Sequence, residues 1–154
     1  MKKATLTLLA LSAASSASAA NYIGGSIGSG LSIHYQTDRN AQSALRYGLN
    51  LDAVGFNFGT LSVGGSVDYL ANLAGGNLGA FTPYYGAGLG AGISLGKGTG
   101  FTVYPHVTAG LKYQLNAPIS VFGEVNAGPT VSLGTGSSIG FGFGARLGLN
   151  YRLN

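Results

Sequence analysis

The strongest constraint on how this chain can fold is a hydrophobic period of two. From Ile139 to Leu153 the odd positions are Ile, Phe, Phe, Ala, Leu, Leu, Tyr and Leu. The even positions between them are Gly, Gly, Gly, Arg, Gly, Asn and Arg. Successive side chains of a strand point to opposite faces, so this run builds a strand with one apolar and one polar face. The same split recurs in Phe81 to Leu95, Phe101 to Leu115 and Ile119 to Leu133, with earlier tracts at Ile23 to Tyr35, Leu45 to Leu51 and Leu61 to Leu73. No tract has a helical period. The internal glycines oppose a helix further, by up to about 1 kcal/mol each relative to alanine. Residues 21–154 therefore read as all-β and antiparallel, with short turns.

Seven tracts are plain, and an eighth strand is expected at Val54 to Phe58. There the apolar phase switches twice, from Leu51 to Val54, Phe56 and Phe58, and back at Leu61. Two-residue turns at Asp52-Ala53 and Gly59-Thr60 produce both switches. The alternative is one long strand with a bulge, which also shifts phase. Further turns are expected at Thr37-Asp38-Arg39-Asn40, Ala74-Gly75-Gly76-Asn77, Gly96 to Gly100, Asn116-Ala117-Pro118 and Gly134 to Ser137. Proline at 118 suits a connection outside the ladder.

Residues 1–20 have the form of a secretory signal: Lys2 and Lys3, a short apolar stretch from Leu6 to Ala14, then small residues ending at Ala19 and Ala20. The expected products are a cleaved leader and one domain over 21–154. The apolar stretch is shorter than the roughly 20 residues of a spanning helix. Cysteine is absent, which excludes disulfides and thiolate metal sites. Charged residues make up 8% of the chain, against about 25% in soluble domains. The net charge of +4 includes Lys2 and Lys3. Nothing here forms the clustered basic face of a nucleic-acid binder.

The second face of each strand decides what the apolar face meets. It is mostly Gly, Ser, Thr and Asn. Such a face is a poor, nearly uncharged surface for water. It suits the interior of a narrow barrel, which eight strands leave just wide enough for side chains. The apolar face then points to lipid. The expected architecture is an eight-stranded antiparallel up-and-down transmembrane β-barrel.

Three motifs carry a resemblance. Thr82-Pro83-Tyr84-Tyr85-Gly86-Ala87-Gly88-Leu89-Gly90 is a Pro-Tyr strand with glycine at every second place. Ala109-Gly110-Leu111-Lys112-Tyr113 is the strand that follows. Gly148, Tyr151 and Leu153 form a C-terminal assembly pattern. In these the chain resembles the small outer-membrane β-barrel family, the OmpA-like and OmpX-like eight-stranded barrels; it departs from them in ending on Asn154 rather than an aromatic. The resemblance implies a bacterial outer-membrane location, lipid as surroundings, and passage through the secretion and barrel-assembly machinery. It implies no single function, because the fold hosts anchors, adhesins, pores and a few lipid-modifying enzymes. With both termini periplasmic, Tyr69, Phe81, Tyr113 and Tyr151 are expected in an inner aromatic girdle, and Tyr35, Tyr47, Phe101 and Phe141 in an outer one.

Parity places His34, Arg46, Asp68, His106, Lys112, Glu124, Arg146 and Arg152 in the lumen. If Leu115 pairs with Ile119, Glu124 faces Gly110 and has Lys112 as a diagonal neighbour. The expected lumen cluster is Glu124 bridged by Lys112 and Arg146, since buried charges need partners. Its bland role is structural ion pairing; its functional role is a gate in a narrow water path. No catalytic, cofactor or metal residue is expected. Both histidines face inward on distant strands, and no serine has an activating base.

The leading expectation is a monomeric, non-enzymatic outer-membrane barrel serving envelope integrity or surface contact. The alternatives are a narrow pore for water or small ions, and a soluble exported carrier of a small apolar ligand. A lipid-modifying enzyme would need an outward Ser/His pair, which is missing.

Overall fold

Strict alternation is what lets an antiparallel ladder sort its side chains between two environments. A computed structural model describes residues 19–53, 61–76, 78–95, 100–134 and 136–154. They form eight strands: β1 (Asn21–Gly28), β2 (Leu31–Asn40), β3 (Ser43–Ala53), β4 (Leu61–Asn72), β5 (Phe81–Leu95), β6 (Gly100–Asn116), β7 (Ile119–Leu133) and β8 (Ser138–Arg152). Each pairs antiparallel with the next, and β8 pairs back onto β1, from Tyr22 opposite Arg152 to Gly28 opposite Arg146. Closure leaves no sheet edge, as a spanning β-structure requires. The molecule is an eight-stranded antiparallel up-and-down barrel.

One parity runs through the whole barrel. Every ladder joins odd residues to odd and even to even, as in Tyr35 opposite Tyr47 and Arg46 opposite Asp68. The exceptions are single offsets beside the turns, at Asn40–Ser43 and Asn116–Ile119. The apolar core, Ala44, Leu70, Tyr84 and Phe122, is even-numbered and inside. Large apolar side chains on odd positions face out all round the circumference, with Ile139 at 83% and Phe143 at 73% exposed. Soluble monomers rarely carry apolar patches beyond a few hundred Å². An uninterrupted belt with a polar interior is the arrangement of a membrane barrel. It also removes the apolar interior that a soluble carrier of apolar ligands needs.

The eighth strand arises elsewhere than the phase switches indicated. Ile23 to Tyr35 is not one strand but two, β1 and β2. Ile27 pairs with Leu31 around the intervening Gly28–Gly30 segment. An odd number of residues between paired positions keeps the alternation in phase, so the hairpin leaves no mark on the pattern. Asp52 and Ala53 end β3, opposite Ser62 and Leu61, rather than forming a turn. Val54 to Phe58 lies outside the described residues, and all eight strands of the closed barrel are found without it. Likewise Thr37 to Asn40 belongs to β2, with the turn displaced to Ala41 and Gln42.

The split of the first tract also corrects the girdles. The end that carries both termini is called here the terminal end; the other is the far end. Tyr35 pairs with Ile23, which in turn pairs with Tyr151, and Tyr47 pairs with Tyr35. Both tyrosines therefore belong to the terminal-end group with Tyr69, Tyr85, Phe81, Tyr113 and Tyr151. The outward-facing far-end aromatics among the described residues are phenylalanines: Phe101, Phe141 and Phe143. The terminal-end connection after β4 contains Gly75 and Gly79 at φ 74° and 66°, values that favour glycine.

Candidate functional site

Six strands send polar side chains to one level of the lumen. Arg46 of β3 stands directly opposite Asp68 of β4, and Glu124 of β7 opposite Arg146 of β8. Tyr84 comes from β5 and His106 from β6. Neighbouring pairs alone would give two separate ion pairs. The long Arg46 side chain crosses the lumen and joins them.

Arg46 is the hub. Its Nη1 donates to Glu124 Oε2 at 3.0 Å, its Nη2 to Glu124 Oε1 at 2.9 Å, and its Nε to Asp68 Oδ2 at 3.4 Å. This fork matches a carboxylate in a way a lysine ammonium cannot. Glu124 also accepts from the Tyr84 hydroxyl at 2.7 Å and from Arg146 Nε. Asp68 Oδ1 meets His106 Nε2 at 2.7 Å, while His106 Nδ1 lies 3.0 Å from the Tyr104 carbonyl. Arg146 Nη2 stands 3.9 Å from Asp68. Arg46 is 2%, Asp68 1% and Glu124 4% exposed. Charges this deep are tolerated only when paired and hydrogen-bonded.

Glycines on inward positions make the room. A Cβ at Gly88 would meet Asp68 Oδ1 and come within 2.8 Å of His106 Nε2; one at Gly110 would lie 2.5 Å from the Tyr84 ring. Below the network, toward the terminal end, Phe122 packs under it. The Arg46 guanidinium lies 5.5 Å from the Phe122 ring centroid, and His34 meets that ring edge-on. His34 Nε2 also bonds Asn150 Oδ1 at 2.6 Å.

The residues singled out by parity are thus distributed as follows. Glu124, Arg146, Arg46, Asp68 and His106 meet in one network. Lys112 does not bridge Glu124. It stands opposite Thr82 and Phe122, lines a small cavity of about 100 Å³ at the terminal end with Gln36, Asp38 and Asn72, and makes no ion pair among the described residues. Arg46 takes the place given to Lys112, because its side chain reaches across from the far wall. His34 sits one layer lower, and Arg152 is exposed at the terminal end with its Nε on the Asn154 carbonyl at 2.6 Å. Of the C-terminal pattern, Gly148 lies against the Phe122 ring, while Tyr151 and Leu153 are exposed on the wall. Ala20, with Ala19 before it, enters the barrel by accepting a hydrogen bond from the Asp38 N–H at 2.9 Å. Tyr84 and Phe122 are the participants that charge patterning passed over. Their signal was a bulky aromatic on the otherwise small-residue face.

On the far side of the network the lumen opens. A vestibule of about 930 Å³ is lined by Ser32, Asn50, Ser66, Thr102, Tyr104 and Asn126, among other small polar residues, with His106 and Arg146 at its floor. Among the described residues, no cluster of His, Asp or Glu has the arrangement of a metal site. His34 and His106 stand on β2 and β6 and bond different partners.

No protein-family profile matches the chain, and no curated protein matches it in sequence. Solved structures do match it in fold. The crystal structure of Neisserial surface protein A is 13% identical, with a TM-score of 0.58 over 86% of this chain and 93% of that one. The N-terminal β-barrel domain of Pseudomonas aeruginosa OprF is 15% identical, with a TM-score of 0.57 over 88% and 96%. A major outer membrane protein from Thermus thermophilus is 13% identical, with a TM-score of 0.53 over 88% and 100%. In topology, closure and extent, the chain has the fold of the small eight-stranded outer-membrane barrels.

Proposed function

We propose that the protein is a non-enzymatic integral barrel of the bacterial outer membrane, acting as a monomer in envelope integrity. The observation that carries this reading is the contrast between its two faces. The outer face is apolar around the full circumference, and the lumen is closed at one level by the Arg46–Glu124–Asp68–Arg146 network. Outer-membrane lipid is its surroundings, and the secretion and barrel-assembly machinery deliver it after removal of residues 1–20. The far-end connection at Ser29–Gly30 is short and adds little loop area for recognition of a surface partner.

Among the described residues, no nucleophile with an activating base is assembled in the lumen. Arg46, Asp68, Glu124 and Tyr84 are turned on one another, and His106 and the Nε2 of His34 are engaged by Asp68, the Tyr104 carbonyl and Asn150. The second reading is a narrow pore gated by the network, favoured by the cavities on either side of it.

Fractionation with gel mobility before and after boiling tests the first reading. It predicts an outer-membrane species that needs detergent and shifts on boiling; a soluble periplasmic species with no shift contradicts it. Planar-bilayer recording separates the two readings. A closed barrel predicts no conductance for the wild type, whereas a gated pore predicts conductance that changes on Glu124→Ala.

A further inference from the structure

The network is not symmetric along the barrel axis. Both carboxylates are sealed into it, whereas one of its arginines is left facing an open cavity. Arg46 places Nε, Nη1 and Nη2 on carboxylate oxygens. Arg146 engages only Nε, on Glu124. Its Nη2 is 3.9 Å from Asp68, beyond hydrogen-bond reach. A guanidinium carries five N–H donors, so most of those of Arg146 have no acceptor among the described residues. Its side chain is 17% exposed, against 2% for Arg46, and it lines the floor of the far-end vestibule.

The vestibule matches that donor. Among the described residues lining its roughly 930 Å³, the charged or chargeable side chains are Arg146, His106 and Tyr104. Its walls are hydroxyls and amides, many of them already paired with each other, as in Thr102 with Ser132 at 3.0 Å and Ser62 with Ser94 at 3.0 Å. Asn126 is different. Its Oδ1 accepts from the Tyr104 hydroxyl at 2.9 Å, which leaves its Nδ2 donors for the cavity. Asn126 is also the diagonal neighbour of Arg146, since Asn126 pairs with Gly144 and Glu124 with Arg146. The Arg146 guanidinium and the Asn126 amide thus turn hydrogen-bond donors toward the same space.

We propose that the vestibule is a binding cup for a small oxyanion, a carboxylate or phosphate group entering from the far end and held by the Arg146 guanidinium and the Asn126 amide. This goes beyond the envelope role and stands whether or not the lumen conducts. The fork geometry of Arg146 suits two oxygens of one oxyanion. Spherical chloride offers no such pair.

The test is a titration of the protein purified in detergent, followed by NMR of the Arg146 Nε–H and the Asn126 side-chain amide. The probes are inorganic phosphate and acetate, with sodium chloride at matched ionic strength as control. Saturable shifts of these two groups with the oxyanions, and none that saturate with chloride, are expected. Two variants leave the ion network untouched. Gly90→Leu fills the cup, since a Cβ at Gly90 finds its nearest atom, the Tyr104 carbonyl oxygen, at 3.6 Å. Asn126→Ala removes the amide. Each is expected to weaken the apparent affinity at least tenfold, while Lys112→Gln on the opposite side changes nothing. Shifts that never saturate, that chloride reproduces, or that persist in both variants would overturn the proposal.

Discussion

The two halves of the lumen are built from the same strands with the same alternation, yet one is filled and the other is open. In the filled half, inward positions carry Arg46, Leu70, Tyr84, Phe122 and Glu124, and glycines such as Gly86, Gly110 and Gly148 leave room for Leu70, Tyr84 and Phe122. In the open half, the described inward positions are Ser, Thr, Asn and Gly with one large side chain, Tyr104, and the walls enclose about 930 Å³. Gly88 and Gly90 mark the border on a single strand. A Cβ at Gly88 runs into Asp68 and His106; one at Gly90 makes only ordinary van der Waals contact, with the Tyr104 carbonyl oxygen at 3.6 Å. Backbone pattern therefore sets which side of the wall a residue faces. The size of the even-numbered side chains sets where the lumen is closed.

Removing the acid at the centre of the filled half is the severest way to break this contrast. Glu124→Ala leaves Arg46 and Arg146 short of their main acceptor, and breaking a buried ion pair costs about 3–5 kcal/mol. Urea unfolding in detergent, read by gel mobility, is expected to show a loss of that size. The next effect is smaller. Gly88→Leu overpacks the network and is expected to cost about 1–3 kcal/mol. Gly90→Leu, two residues along the same face, is expected to stay within about 0.5 kcal/mol of wild type. Equal costs at the two glycines, in the same unfolding assay, would erase the distinction between the halves. The smallest effect belongs to Lys112→Gln, within about 0.5 kcal/mol, because Lys112 makes no ion pair among the described residues.

What the sequence made legible follows from what neighbouring strands determine. Period two assigned inward and outward faces, and pairing Leu115 with Ile119 across Asn116-Ala117-Pro118 set Glu124 opposite Gly110; the structure has that register from Gln114–Ser120 onward, although a bulge at Leu115 puts Asn116 opposite Ile119 at the turn itself. What crosses the lumen is not fixed by any neighbouring pair. Arg46 and Glu124 are 78 residues apart, on β3 and β7, and only the curvature of a closed barrel brings them together. Lys112 looked a better partner because it is a diagonal neighbour on the adjacent strand. The hairpin between β1 and β2 was hidden for a different reason: its turn keeps the alternation in phase, so Ile23 to Tyr35 looked like one strand and Tyr35 was set at the wrong end.

The direction of the two faces is the claim on which everything else rests, and adjacent residues test it. The chain has no native cysteine, so Leu89→Cys and Gly90→Cys can each carry a single nitroxide in protein reconstituted into lipid vesicles. Leu89 is 54% exposed on the outer wall, and Gly90 lines the vestibule. Spin-label relaxation is expected to respond mainly to oxygen at 89, in lipid, and mainly to a water-soluble nickel chelate at 90. The reverse pattern, with nickel at 89 and oxygen at 90, would mean that the apolar face is turned inward and that the protein is not a membrane barrel.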